Sequence, residues 1–387
     1  MATNALGRRT LAPMRIVRGL PDLTFVFAWL AGTRAALIVA GLVAMALLPA
    51  GRQLDFIPGQ PWLLMWAQWD AEHYISIAVH GYSAPEAPFS NVVFFPLYPW
   101  LIRLVALPFG IIGPLAESGA ALTGLLISNV SLVIGLLYMR ALVERDFGSA
   151  IARRSVVYML VFPTTLFLSS VYAEPLFLAT AAASLYHARR GEFYRAGLAG
   201  ALAALTRPFG FLLLVPLLVE LATQRAPARA WPSLALVPAG LAMFFAVLWA
   251  QFGDPLTYLA AGEGWGRELH WPWEILSGYL RGPLTMFDWP YAWLDLASIA
   301  GLAWLTFVGW QLLPKSYAAY STAGLLLALS SGIAWFSAAR HALALFPLII
   351  VIAVLAHRPT VHRTWLLVSA ALALVFMARV AVGYWVT

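Results

Sequence analysis

The chain of 387 residues contains no cysteine. Disulfides, thiolate nucleophiles and cysteine-ligated metals are thereby excluded, and the redox compartment leaves no trace in the sequence. Charge is scarce as well: Asp, Glu, Lys and Arg make up 11% of the residues, against 62% hydrophobic ones and a mean hydropathy of +0.80. A soluble domain with that balance would expose far too much apolar surface, so the composition belongs to a polytopic membrane protein, read here as one integrated all-α domain. Lysine is rare, and the net charge of +7 rests on arginine. The arginines are scattered at the ends of apolar runs rather than gathered in a patch, which excludes nucleic acid as a partner. No Asp-x-Asp pair, His-x-x-x-His pair or Gly-x-x-x-x-Gly-Lys loop occurs. The sequence therefore offers no site for a metal-bridged nucleotide, and neither a metal nor another cofactor is expected. There is no internal repeat. The first 23 residues, with Arg8, Arg9, Arg15 and Arg18, lack a short apolar region ending in a cleavage site and read as a cytoplasmic arm, not a signal peptide.

Apolar runs long enough to cross a bilayer, or nearly so, fall at Thr24–Leu48, Gly119–Met139, Ala152–Ser169, Ala173–Tyr186, Ala196–Leu221, Pro232–Ala250, Trp293–Leu313, Tyr317–Trp335, Arg340–Ala356 and Thr364–Tyr384. They predict about 10 to 11 transmembrane helices. One topology puts 16 of the 24 basic residues on the cytoplasmic side and 12 of the 17 acidic residues opposite, as the positive-inside rule demands. It carries two conditions. Phe94–Gly113, interrupted by Pro96, Pro99 and Pro108, must be re-entrant or lie along the surface. Ala196–Leu221 must be a hairpin of two short helices turning at Thr206-Arg207-Pro208, because both its flanks are basic. A turn at that depth is tolerated only where protein or a watery cavity receives its backbone, which places Arg207 in a cavity. Residues 49–118 then form a first outer loop with juxtamembrane helices, and 251–292 a second, rich in tryptophan.

The first outer loop holds QWDAEHYISIAVHGY, Gln68 to Tyr82, where Asp70, Glu72 and His73 stand among Trp69, Tyr74 and other aromatic residues suited to the headgroup level. Asp70 is the candidate general base, a carboxylate able to take a proton from a hydroxyl within reach. Arg207 and Arg340 are the candidate phosphate clamp, since guanidiniums hold phosphate by planar, bidentate hydrogen bonds. The topology brings Asp70, Glu174, Arg207 and Arg340 to one face of the membrane, where charge is costly and points to function. His73 and His341 are candidate phosphate ligands, and Glu72, Trp69, Tyr74 and Glu174 candidate substrate contacts. Each has a plainer role open to it. Asp70 can cap a helix, Glu72 can be a solvated loop carboxylate, Arg340 can snorkel to headgroups, and Glu174, just before Pro175, can complement a helix N-terminus.

The segments WDAEHYISIAVHGY, FFPLYPWLIRL, FPTTLFLSSVYAEPLFL, LTRPFGFLLL and ARHALALFPL follow one another in this order between Gln68 and Pro347. In this the chain resembles the PIG-V-like family typified by glycosylphosphatidylinositol mannosyltransferase II, in the manner of its prokaryotic members, while Pro175 and His341 depart from the family pattern. The resemblance implies the GT-C fold of multispanning, inverting glycosyltransferases, a polyprenyl-phosphate-mannose donor, an active site on the extracytoplasmic face of a prokaryotic plasma membrane, and Asp70 as base. A glycolipid or lipid-linked glycan is the expected acceptor. A flippase of polyprenyl-linked glycans, or a GT-C transferase of another sugar, are the alternatives.

Overall fold

The computed structural model describes residues 20–51, 57, 59–83, 85, 89–109, 116–281, 292–331 and 337–386. Most of the amino-terminal arm, together with Asp288 and Trp289 of the second loop, lies outside the described residues. The chain is an all-α polytopic membrane protein. Its helices are α1 (Leu20–Leu47), α2 (Pro61–Leu64), α3 (Asp70–His80), α4 (Leu97–Ala106), α5 (Ala116–Phe147), α6 (Ser149–Val161), α7 (Glu174–Arg189), α8 (Phe193–Ala204) and α9 (Leu214–Thr223). They continue as α10 (Leu236–Phe252), α11 (Thr257–Glu263), α12 (Pro272–Arg281), α13 (Ala292–Leu312), α14 (Lys315–Ser330), α15 (Ala338–Ala344), α16 (Pro347–Leu355) and α17 (Pro359–Ala381).

Among the described residues, Asp22–Leu47, Ala116–Phe147, Ala228–Phe252 and Pro359–Ala381 are long and apolar enough to cross a bilayer. The outermost of them show why: Val39, Leu47, Leu367 and Val375 are more than half exposed, a surface that only lipid can cover. The other predicted crossings also fall on helices, most of them shorter or interrupted. Arg340–Ala356 is one of these, because α15 and α16 meet at 93°. Helix α16 is apolar on every side, with Leu348, Ile349, Ile350 and Val351 fully buried, as expected of a helix at the centre of a bundle.

Within Phe94–Gly113 the described residues end at Phe109, and their one α-helix is α4. Pro96 caps α4, whose 10 residues reach about 15 Å, half of the hydrocarbon thickness. The predicted hairpin is present. After α8 the chain breaks at Arg207, whose backbone is extended, and runs through a 3-10 segment (Pro208–Leu213) into α9. Gly210 lies so close to α8 that a Cβ there would stand 2.1 Å from the carbonyl carbon of Ala203. At the far end of the hairpin Phe193, the first residue of α8, packs with Leu221 of α9.

Two ends of the bundle are distinguished by their charges. At one, Asp22 pairs with Arg140 at 2.7 Å, and Arg189 joins Asp146 at 2.8 Å to Glu220 at 3.2 Å. This staples α5, α7 and α9 together beside the arginine-rich turns. Gly148, at φ +87 between α5 and α6, makes the tight reversal there that a side chain would strain. At the other end the segments before α5 and after α10 meet. Gln251 donates to the Tyr82 carbonyl at 3.2 Å, the Trp265 indole to the Ser90 carbonyl at 2.9 Å, and Arg267 to the Val93 carbonyl at 3.3 Å.

Candidate active site

Four elements deliver one charged side chain each to this second end. Asp70 opens α3, Glu174 opens α7, Arg207 sits at the hairpin turn and Arg340 lies in α15. The break between α6 and α7 follows from its sequence, where Pro163 and Pro175 bracket a run of Thr and Ser that suits turns better than helix. Its backbone is held by neighbours, with the Val171 amide donating to the Trp66 carbonyl at 2.9 Å.

The four side chains form one connected chain of ion pairs. Arg340 donates from one terminal nitrogen to Asp70 Oδ2 at 2.7 Å and from Nε to Glu174 Oε1, and Arg207 reaches the same Oε1. Glu174 Oε2 is buried with no partner among the described residues. The guanidinium of Arg340 is packed between two rings, 4.8 Å from the centroid of Phe167 and 4.7 Å from that of Tyr172, a stacked arrangement that favours arginine over lysine. Tyr172 is fixed in turn, donating its hydroxyl to the Gln68 carbonyl at 2.9 Å. Side-chain exposure grades from 2% at Glu174 and 6% at Arg340 to 13% at Arg207 and 21% at Asp70. Asp70 is thus the member that a molecule from outside reaches most readily.

Both carboxylates stand in the first turn of their helices, where a negative charge suits the helix N-terminus, and both also bind arginine. Asp70 gives its Oδ2 to Arg340 rather than to the backbone of α3, and Glu174 gives its Oε1 to the two arginines. Arg340 does not snorkel, being buried between two carboxylates and two rings. Trp69, just before Asp70, holds φ +61, a conformation rare for a large side chain. Its ring packs edge-on against Trp385 at 5.5 Å.

The remaining candidates flank the tetrad. His73 stacks on Phe94 at 4.7 Å and meets Trp265 edge-on at 5.1 Å, the two rings over which Arg267 also lies. His341 is buried and packs on Phe209 at 5.2 Å. Glu72, two residues from Asp70, points off another face of α3 and makes no ion pair among the described residues. Tyr74 is buried against Tyr98 at 5.2 Å and Tyr172 at 6.4 Å. Burial, reinforced by Glu174 and Asp70 and opposed by Arg207 and Arg340, pushes its phenol above the usual range, so Tyr74 remains a proton donor beside the charges. Among the described residues no group of three or more His, Asp or Glu side chains converges as a metal site would require.

Tyr172, Phe167 and Gln68 escape notice in the sequence. Tyr172 stands two residues before Glu174, inside the Pro-bracketed break, and that position is the one signal that singles it out. Beside α15 runs an apolar groove of about 460 Å³, lined by Leu302, Ala339, Ile349, Trp365 and Phe376 among others. Ala339, the residue before Arg340, lines this groove, while the side chains of Asp70, Glu174, Arg207 and Arg340 do not.

Comparison with known proteins bears on this arrangement. Residues 59–225 match the family model described as Mannosyltransferase (PIG-V). The GPI alpha-1,6-mannosyltransferase 2 of Mus musculus is 31% identical over 156 residues, 38% of this chain and 30% of the mouse protein. That of Rattus norvegicus is 32% identical over 153 residues, again 38% and 30%. The matched stretch thus spans under a third of these curated relatives. Among solved structures, ArnT from Cupriavidus metallidurans superposes with a TM-score of 0.51 in its apo state, at 14% identity over 89% of this chain and 62% of ArnT. Bound to undecaprenyl phosphate, ArnT gives 0.50 at 13% identity, over 87% and 62%. The chain therefore has the GT-C glycosyltransferase fold, and the stretch that carries Asp70, Glu174 and Arg207 matches the PIG-V mannosyltransferases.

Proposed function

We propose that the protein is an inverting glycosyltransferase that moves mannose from polyprenyl-phosphate-mannose to a hydroxyl of a glycolipid or lipid-linked glycan, with its active site on the non-cytoplasmic face. The observation that carries this reading is the tetrad of Asp70, Arg340, Glu174 and Arg207, two guanidiniums and the most exposed carboxylate joined in one cluster. In this reading the apolar groove that Ala339 lines takes the polyprenyl chain and the guanidiniums take its phosphate. The arginine-rich opposite end supports the sidedness. The undecaprenyl phosphate bound by ArnT, on the same fold, supports the donor class, and the mannosyltransferase relatives support the sugar.

In this reading Arg340 holds Asp70 Oδ2 and leaves Oδ1 for the acceptor. Asp70 takes the acceptor hydroxyl proton as the oxygen attacks the anomeric carbon, on the face opposite the phosphate. The bond from that carbon to the phosphate oxygen breaks, and the polyprenyl phosphate leaves with its charge held by Arg207 and Arg340. Stabilisation of developing charge by preorganised donors is often the largest catalytic contribution.

The test is transfer of radiolabelled mannose from polyprenyl-phosphate-mannose by detergent-solubilised protein with a glycolipid extract. Wild type forms product and Asp70→Asn does not. Solubilised protein that binds the donor without turnover, but moves lipid-linked glycan across sealed vesicles, would replace the enzyme by a flippase.

A further inference from the structure

Glu174 is an odd neighbour for a phosphate site. It is the most buried member of the tetrad, and one of its oxygens, Oε1, receives both arginines while the other has no partner among the described residues. Carboxylate and phosphate oxygens accept charge-assisted hydrogen bonds from the same guanidinium N–H groups and so compete for them. The N–H groups that the donor needs are thus occupied by a carboxylate of the protein itself. The four side chains carry two negative and two positive charges, so they balance one another and an arriving phosphate adds a negative charge that they do not compensate.

We propose that Glu174 is an internal competitor of the donor phosphate, a latch that clasps Arg207, yields it when phosphate enters and reclaims it when polyprenyl phosphate must leave. The inference rests on the reading that the arginines bind the donor phosphate. Arg207 is the arm that moves. It is the more exposed arginine, it stands on an extended residue at a hairpin turn, and Glu174 is its one carboxylate partner among the described residues. Arg340 is held in place by Asp70, Phe167 and Tyr172 as well. A ligand gains affinity when the group competing for its partners is removed, and loses it when a like charge stays nearby. Without the latch, the product would be held by an Arg207 that no carboxylate reclaims, and its departure would limit turnover.

Glu174 as a mere neutraliser of two buried arginines predicts the opposite: its loss disorders the clamp and weakens anion binding. The experiment is equilibrium binding of undecaprenyl phosphate to the full chain in detergent, for wild type, Glu174→Gln, Glu174→Asp and Arg207→Ala, with thermal unfolding followed in parallel. Glu174→Gln is expected to bind about ten-fold more tightly than wild type. Its unfolding midpoint is lower without ligand and rises further with it, since a ligand stabilises in proportion to its affinity. Glu174→Asp, which keeps the charge but retracts it from Arg207, shifts in the same direction by less and covers the case in which the glutamine variant fails to fold. In turnover, Glu174→Gln lowers kcat and the donor KM together. Unchanged or weaker binding by both Glu174 variants, with Arg207→Ala still impaired, overturns the latch and leaves the phosphate clamp standing. Equal binding by wild type and Arg207→Ala overturns the clamp and the latch with it.

Discussion

Asp70 and Arg340 are 270 positions apart in the chain and 2.7 Å apart in space. Their pairing closes the site, tying the helix that opens the acidic, aromatic stretch to the bent helix pair near the carboxyl end. Because Arg340 also holds Glu174 and lies flat between Phe167 and Tyr172, a lysine there keeps the charge but loses the fork and the stacking. Arg340→Lys is expected to lower kcat roughly 10²- to 10³-fold, measured as initial rates of mannose transfer, with the fold intact by circular dichroism. Activity within a few-fold of wild type would remove Arg340 from the reaction.

Tyr172 separates two contributions to that clamp. Tyr172→Phe retains the ring over Arg340 and loses the hydrogen bond to Gln68, a change of about 1 kcal/mol in stability with turnover nearly preserved. Tyr172→Ala loses the ring as well, worth about 0.5–2 kcal/mol of cation–π contact, and frees Arg340 to tilt. Transfer rates that fall for alanine but not for phenylalanine establish that the ring positions the guanidinium. Equal losses would assign the effect to the hydroxyl.

Much of this site is legible in the sequence, for a definite reason. Charge in an apolar chain is expensive enough that Asp70, Arg207 and Arg340 stand out wherever they fall, and the basic flanks of Ala196–Leu221 require a hairpin before any coordinates are seen. Local sequence carries no record of who pairs with whom. Glu174 reads as a helix-terminal carboxylate because Pro175 follows it, and its place as the hub of two arginines depends on elements far along the chain. The 93° turn between α15 and α16 is hidden for a related reason: Arg340–Ala356 is evenly apolar, and Pro347 at the start of a helix is compatible with a straight entry as well as a bent one. His73 and His341, candidate phosphate ligands by their place beside Asp70 and Arg340 in the sequence, have ring neighbours in Phe94 and Phe209 that local sequence does not announce.

The hairpin that presents Arg207 depends on one glycine. A methyl group at Gly210 meets the Ala203 backbone, which cannot yield as a flexible side chain would. Gly210→Ala is expected to destabilise the protein by about 1–3 kcal/mol through overpacking and to displace Arg207, raising the donor KM more than it lowers kcat. Thermal unfolding and steady-state kinetics of the same preparation check both. A variant with normal stability and KM would show that the close approach does not set the turn.

The guanidinium of Arg340 stands between the carboxylates of Asp70 and Glu174, the position where a divalent cation would bridge them. A fixed positive charge there supplies the electrostatic role without a dissociable ion. Transfer is therefore expected to be unchanged by EDTA and unstimulated by added Mg²⁺ or Mn²⁺, assayed on protein dialysed against chelator. Loss of activity on chelation, restored by one of these ions, would overturn this assignment.

Arg34 gives the last prediction, because it sits where an arginine is hardest to justify. It lies about 18 Å along α1 from Asp22, near the middle of a membrane-spanning helix, and it is buried. Its two terminal nitrogens reach only the hydroxyl of Thr165, at 3.2 and 3.1 Å, and its Nε has no partner among the described residues. A buried charge without a carboxylate costs stability, so Arg34→Leu is expected to raise it by about 1–3 kcal/mol. Thr165 begins the 3-10 turn that carries Phe167, and Tyr172 follows soon after, so Arg34 anchors the segment whose rings hold Arg340. The same variant is therefore expected to transfer mannose more slowly than wild type, the exchange of stability for activity that a functional charge produces. Unfolding midpoints and initial rates measured together decide it: a variant that is more stable and fully active would leave Arg34 without a part in the site, and one that is less stable would make it a structural anchor alone.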